Sequence, residues 1–182
     1  MKFAIVVGHS ERKQGAYGNA GVSEHTYNSQ LAKDIKLRLD DLNIDSKIFY
    51  RKNYGTYSEK MKDLHKRIDE YGAGVSISLH FNASATNAKG HEILYYSKGG
   101  RKVAEILDKE FDKLGNRDRD IKKRTKGDRG GGFLARGKSK CVIAEPFFAS
   151  EQKDFMFGTQ GYVNLVDAYI NTISKIANDS AI

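Results

Sequence analysis

The sequence predicts an α/β fold: a mostly parallel sheet flanked by helices on both faces. Three observations predict it. Short apolar runs alternate with segments whose apolar residues recur every three or four positions, so strands and helices take turns along the chain. The first run, residues 2–7, is apolar without alternation after Lys2, as strands covered on both sides are. Strand-helix alternation needs crossovers, and crossovers lay helices over the sheet. The 182 residues suit one domain, 1–182, with its own core, and no linker, repeat or low-complexity segment divides it.

Taken in order, residues 2–7 form the first strand and end at Gly8-His9. A polar, Gly-rich loop, 10–22, leads to Ser23, a plausible N-cap, with Glu24 in the first turn behind it. Tyr27, Leu31, Ile35, Leu39 and Leu42 then fall on one helical stripe. Residues 46–50 read as a short second strand. Thr56 and Glu59 have capping-box spacing; Met61, Leu64, Ile68 and Tyr71 make the apolar face of the next helix, and Gly72 stops it. Residues 74–83 alternate strictly, with Val75, Ile77, Leu79 and Phe81 on one face and Ser76, Ser78, His80 and Asn82 on the other. A polar loop, 84–90, precedes a strand over 90–96. A helix from about Arg101 buries Val103, Ile106, Leu107, Phe111 and Leu114 and stops at Gly115. Residues 115–140 read as a basic, Gly-rich loop, and 141–144 as an apolar strand ending in Glu145-Pro146. Ser150 is read as the cap of a short helical segment, and Tyr162, Val166, Tyr169, Ile173 and Ile176 stripe the last helix.

Composition narrows the function. No apolar window is long enough to span a membrane. The apolar run of the first nine residues is too short for a Sec signal, which leads to an expected location in the cytoplasm of the producing cell. A single cysteine, Cys141, excludes an internal disulfide and a cysteine metal cluster. The formal charge of +8 is local: residues 115–140 hold ten basic and three acidic side chains. Such a segment is either a solvated loop or a landing site for an anionic partner, polyanionic wall material or nucleic acid. The sequence carries no nucleic-acid-binding motif, which disfavours the latter.

Three apolar strands end in groups able to bind a metal or move a proton: His9, His80 and Glu145. In open α/β sheets ligands bind beyond the carboxyl ends of the strands, so parallel neighbours would bring the three together. Glu24, at a helix start, adds a fourth. Two imidazoles and a carboxylate with one open position make a hydrolytic zinc site, and a further carboxylate outside the ion's shell serves as general base. Singly, each of these residues has an ordinary structural explanation; their joint placement argues for a site. Of the others, His25 points roughly 100° around the helix from Glu24 and is a second-choice ligand. His65 reads as surface, His91 as a substrate contact, Cys141 as core, and Asn82 as a residue holding the loop or substrate.

The motifs, in this order, resemble the zinc-dependent N-acetylmuramoyl-L-alanine amidases of the type-3 (cell-wall amidase) family. They are Val7-Gly8-His9; Gly21-Val22-Ser23-Glu24-His25-Thr26-Tyr27-Asn28; Ile77-Ser78-Leu79-His80-Phe81-Asn82-Ala83; Gly90-His91-Glu92; and Val142-Ile143-Ala144-Glu145-Pro146-Phe147-Phe148. The resemblance covers nearly the whole chain. It implies a twisted sheet of about six strands. It also implies one zinc ion on His9, Glu24 and His80, with Glu145 as the catalytic carboxylate. The substrate would be peptidoglycan, cut between N-acetylmuramic acid and L-alanine. The first motif departs from the family in having Val7 before Gly8 and Ser10 after His9, so no partner is assigned to orient His9. A lone catalytic domain without signal or wall-binding repeats resembles a phage endolysin, acting on the wall after release. The rival readings are another zinc peptidase on the same scaffold and a basic nucleic-acid-binding protein.

Overall fold

In the computed structural model, which describes residues 1–18, 21–86 and 88–179, six strands form one sheet in the order β2-β1-β3-β6-β4-β5. The strands are β1 (Phe3–Val7), β2 (Ser46–Phe49), β3 (Val75–Leu79), β4 (His91–Tyr95), β5 (Asp118–Lys123) and β6 (Lys140–Glu145). The helices are α1 (Glu24–Asp41), α2 (Tyr57–Tyr71), α3 (Lys98–Asp112), α4 (Gly131–Leu134), α5 (Gln152–Gln160) and α6 (Tyr162–Asn178). Within the expected loops 10–22 and 84–90, residues 19, 20 and 87 lie outside the described set.

β2, β1, β3 and β6 run parallel, and β4 and β5 are parallel to each other but antiparallel to β6. The reversal has a simple cause. Only a short loop joins β3 to β4, and a parallel return needs a longer crossover, usually a helix. α3 supplies such a crossover between β4 and β5.

Strand alternation divides the core in two. Phe3, Ile5, Val7, Val75, Ile77, Leu79, Val142 and Ala144 pack against α1, α3 and α6. Ala4, Val6, Cys141 and Ile143 face the other way, under Met61, Leu64 and Ile68 of α2 and Phe133 and Leu134 of α4. Ser76 and Ser78, fully buried on that second face, leave room for the covering helices.

Local signals account for most helix ends. The Ser23 side chain caps α1 by accepting from the Thr26 N–H at 3.1 Å. Thr56 and Glu59 form the expected capping box on α2, and Gly72 closes that helix in the left-handed region. Four expectations change. Leu42 lies at the C-cap of α1 and is exposed. α3 begins at Lys98 rather than Arg101, because Ser97 caps it through the Gly100 N–H. Glu151, not Ser150, caps α5; the Ser150 hydroxyl instead accepts from the Ser84 N–H. The segment 115–140 is not one loop, since it contains β5 and α4. β5 holds one apolar residue, Ile121, and lies at the sheet edge, where charged side chains are ordinary.

Candidate active site

β1, β3 and β6 are parallel neighbours, in registers pairing Val7 with Leu79 and Leu79 with Ala144. Their ends therefore deliver His9, His80 and Glu145 to one rim, as the sequence requires. All three line a cleft of about 720 Å³, together with Glu24 at the head of α1.

Glu24 organises one cluster in the cleft. Its carboxylate accepts from His80 Nδ1 at 2.7 Å and meets His9 Nε2 at 3.0 Å. The backbone N–H groups of Ala16 (3.2 Å) and Phe81 (3.3 Å) also donate to it. Two close approaches make this possible. A Cβ on Gly8 would strike the His80 ring and the Leu79 carbonyl, and one on Gly15 would strike both Glu24 and His9. His9 itself sits at φ 62°, a left-handed conformation uncommon for a residue with a side chain and often found at functional sites.

Burial opposes ionisation of Glu24, but chiefly the hydrogen bonds from His80 and His9 outweigh it and hold the carboxyl down at about 2. Burial also lowers the pKa of His80, which favours its neutral form. Their contact is therefore a hydrogen bond from a neutral ring to a carboxylate. Neutral imidazole and ionised carboxylate are the states a metal ion requires. One ligand atom from each of His9, Glu24 and His80 lies within 4.8 Å of the others, and the two-nitrogen, one-oxygen set fits a hydrolytic divalent-metal site.

Glu145 lines the same cleft from the neighbouring strand β6. Its Oε2 accepts from Arg129 at 2.8 Å and from Asn82 at 2.9 Å. β4 sets Glu92 opposite Glu145 in the antiparallel register, so two carboxyls crowd together. Burial first, and then the charge of Glu92 and a hydrogen bond to it, push Glu145 up to about 8 against the opposing pull of Arg129. Glu92 goes the other way: despite burial, Lys122 at 2.5 Å and Arg119 at 3.1 Å keep it ionised, at about 2.

The four singled-out residues thus converge; of their supports, sequence reasoning singled out only Asn82, as holding the loop or substrate. Asn82 positions Glu145, and its backbone ties the end of β3 to the turn after β6 through Phe147 and Ala149. Arg129 was one charge in a basic run, and nothing marked it as the cation that turns inward. Glu92 had a signal, the Gly90-His91-Glu92 strand, but no role attached to it. Arg51, largely buried, approaches His80 Nε2 at 3.4 Å. His25 keeps its second-choice place, and the expectations for His65 and His91 need correction. His25 lies outside the cluster, with Nδ1 3.2 Å from the Gly8 carbonyl oxygen. His65 is buried beneath Phe133, on the α2 stripe with Met61, Leu64 and Ile68. His91 does not line the cleft; it is buried against Phe111 of α3. Cys141 is buried core, as expected.

The fold matches the catalytic domain of the CD27L endolysin targeting Clostridia difficile, with 25% identity, TM-score 0.83, and 96% and 97% of the two chains covered. It also matches the catalytic domain of CwlV, an N-acetylmuramoyl-L-alanine amidase from Bacillus (Paenibacillus) polymyxa var. colistinus (20% identity, TM-score 0.80, 98% and 99% covered). A third match is the amidase AmiC2 of Nostoc punctiforme (17% identity, TM-score 0.83, 98% of each chain covered). No curated protein is a significant match by sequence. Residues 4–175 match the family described as N-acetylmuramoyl-L-alanine amidase, so the chain belongs to that family of peptidoglycan-cleaving enzymes.

Proposed function

We propose that the chain is a zinc-dependent N-acetylmuramoyl-L-alanine amidase in which His9, Glu24 and His80 hold the ion and Glu145 is the catalytic carboxylate. The observation that carries this reading is the shared cleft. A three-ligand cluster and a carboxyl with raised pKa both line it. When bound, zinc would supply Lewis acidity, polarising the scissile carbonyl and acidifying water.

The chain's own groups do the proton work. Glu145 takes a proton from water and later delivers it to the departing alanine nitrogen. A carboxyl poised near 8 suits both steps, because it holds a proton near neutrality and still releases it. Asn82 and Arg129 both donate to Oε2 and so fix the orientation of the carboxyl. Lys126 and Arg136 also line the cleft and suit anionic groups of a stem peptide or wall polymer. Steering of that kind fades with salt, so activity on whole sacculi should fall as ionic strength rises; indifference to salt would remove it from the account.

The likeness to an endolysin catalytic domain favours a lytic role, with the protein made in a cytoplasm and acting on the wall after release. Metal analysis, combined with mass spectrometry of peptidoglycan digested by wild type and Glu145→Ala, tests the whole reading. The wild type should contain zinc and free intact stem peptides with an L-alanine amine. The variant should keep the metal and release none. Cuts within the stem peptide would favour a zinc peptidase instead.

A further inference from the structure

The structure assigns a second divalent-metal site, outside the catalytic cleft, to His91, Asp112 and Asp118, with Asp108 beside His91 and zinc as the fitting ion. His91 opens β4, Asp108 and Asp112 share one face of α3 at an i,i+4 spacing, and Asp118 opens β5. Strand alternation sends His91 away from its neighbour Glu92, which pairs with Arg129 in the region of Glu145.

The His91 ring is 1% exposed, yet neither of its nitrogens has a hydrogen-bond partner among the described residues. Nε2 points into three carboxylates, 3.4 Å from Asp108 Oδ1, 3.6 Å from Asp112 Oδ1 and 3.6 Å from Asp118 Oδ1. Asp108 Oδ1 is likewise buried and without a partner. Asp118 Oδ1 also accepts from the Asp120 N–H at 2.7 Å.

A buried ring without a partner is costly, and so is a cluster of like charges. These spacings are too long for good hydrogen bonds but suit a shared ion. With ligands about 2.1 Å from a tetrahedral centre, neighbouring ligand atoms lie roughly 3.4 Å apart. A proton on His91 would offset only one of three negative charges and leave the gaps open. One imidazole beside three carboxylates favours zinc or manganese over calcium, which takes oxygen ligands alone. Asp112 and Asp118 are about half exposed, which leaves a path for the ion. An ion there would clamp β5 and α3 to β4, and β5 carries the Arg119 and Lys122 that hold Glu92.

Zinc counting on the whole chain, stripped by chelator and refilled with zinc, tests the site apart from the catalytic ion. Wild type should hold two zinc ions per chain. His80→Ala should hold one and still gain about 5–10 °C in Tm when zinc is added in large excess over its Kd. The double variant Asp112→Asn/Asp118→Asn should hold one, lose that part of the zinc-dependent Tm gain, and keep amidase activity within a few-fold. A His80→Ala protein whose Tm is unmoved by zinc overturns the second site, as does a double variant holding as much zinc as wild type. A zinc content unchanged by His80→Ala would instead overturn the catalytic assignment.

Discussion

Two carboxyls that line the cleft have equal burial and opposite charge state. Glu24 and Glu145 are each 3% exposed, yet one is held at about 2 and the other pushed up to about 8. Burial alone therefore decides neither. Glu24 has four donors and no acidic neighbour among its contacts. Glu145 has two donors and faces Glu92, which holds the stronger claim on the nearby cations. Titrating groups whose environments separate their pKa values mark the division of labour in a site. A fixed anion belongs with a cation, and a carboxyl that gains and loses a proton belongs with the reacting atoms.

The largest effect should come from breaking the Glu24 cluster. Glu24→Gln keeps the shape but removes the charge, and His80→Ala removes a ligand. Each should lose the catalytic metal and all measurable turnover. Plasma mass spectrometry beside a sacculus-clearing assay checks this; full activity in metal-depleted Glu24→Gln would dissolve the distinction between the two carboxyls.

At the other carboxyl, Glu145→Gln should cost about 10²–10⁴-fold in kcat with the metal retained, the usual worth of general acid-base help. It should not cost stability. A carboxyl whose folded pKa lies above its usual value is ionised at growing expense as pH rises from the ordinary carboxylate range through about 8. Glutamine cannot ionise, so the Tm of the variant should match wild type in acid and exceed it near pH 8. A variant that melts lower at pH 8 would mean Glu145 is structural.

Much of this contrast could be read from the sequence, and the unread part has physical reasons. His9, His80 and Glu145 were legible because an apolar strand ending in a polar group is a local pattern. Their convergence followed from parallel pairing, which alternation with helices implies. Glu92 was not read as an opponent of Glu145, because that pairing needs β4 to run antiparallel. The shortness of residues 80–90 was the clue, too few for a helical crossover. Arg129 was hidden because ten basic residues in one segment look alike until the fold turns some inward. β5 was hidden for the related reason that an edge strand tolerates charge. His65 completes an apolar helical stripe at Met61, Leu64 and Ile68, a signal outweighed by the lysine beside it.

A smaller effect should come from Asn82, which contributes one hydrogen bond to Glu145 and no charge. Asn82→Ala should lower kcat roughly tenfold, the worth of one hydrogen bond to a charged group, with KM little changed. An equal loss carried wholly by KM would make Asn82 a substrate contact rather than a positioning residue.

The finest test moves the pH profile and leaves the maximum rate largely in place. A general base works ionised, so kcat/KM should rise with pH along an acid limb set by Glu145. Glu92 raises the Glu145 pKa and Arg129 lowers it, so removing either charge should shift that limb in a predictable direction. Glu92→Gln removes a like charge, lets Glu145 ionise more easily, and should move the limb to lower pH. Arg129→Gln removes the opposing cation and should move it to higher pH. A bound metal ion in the cleft adds the same field to all three proteins, so the opposed signs survive whatever the wild-type limb is. Limbs that move together, or stay still, would mean that another group sets the profile and that the charge contrast between the two carboxyls is not what catalysis uses.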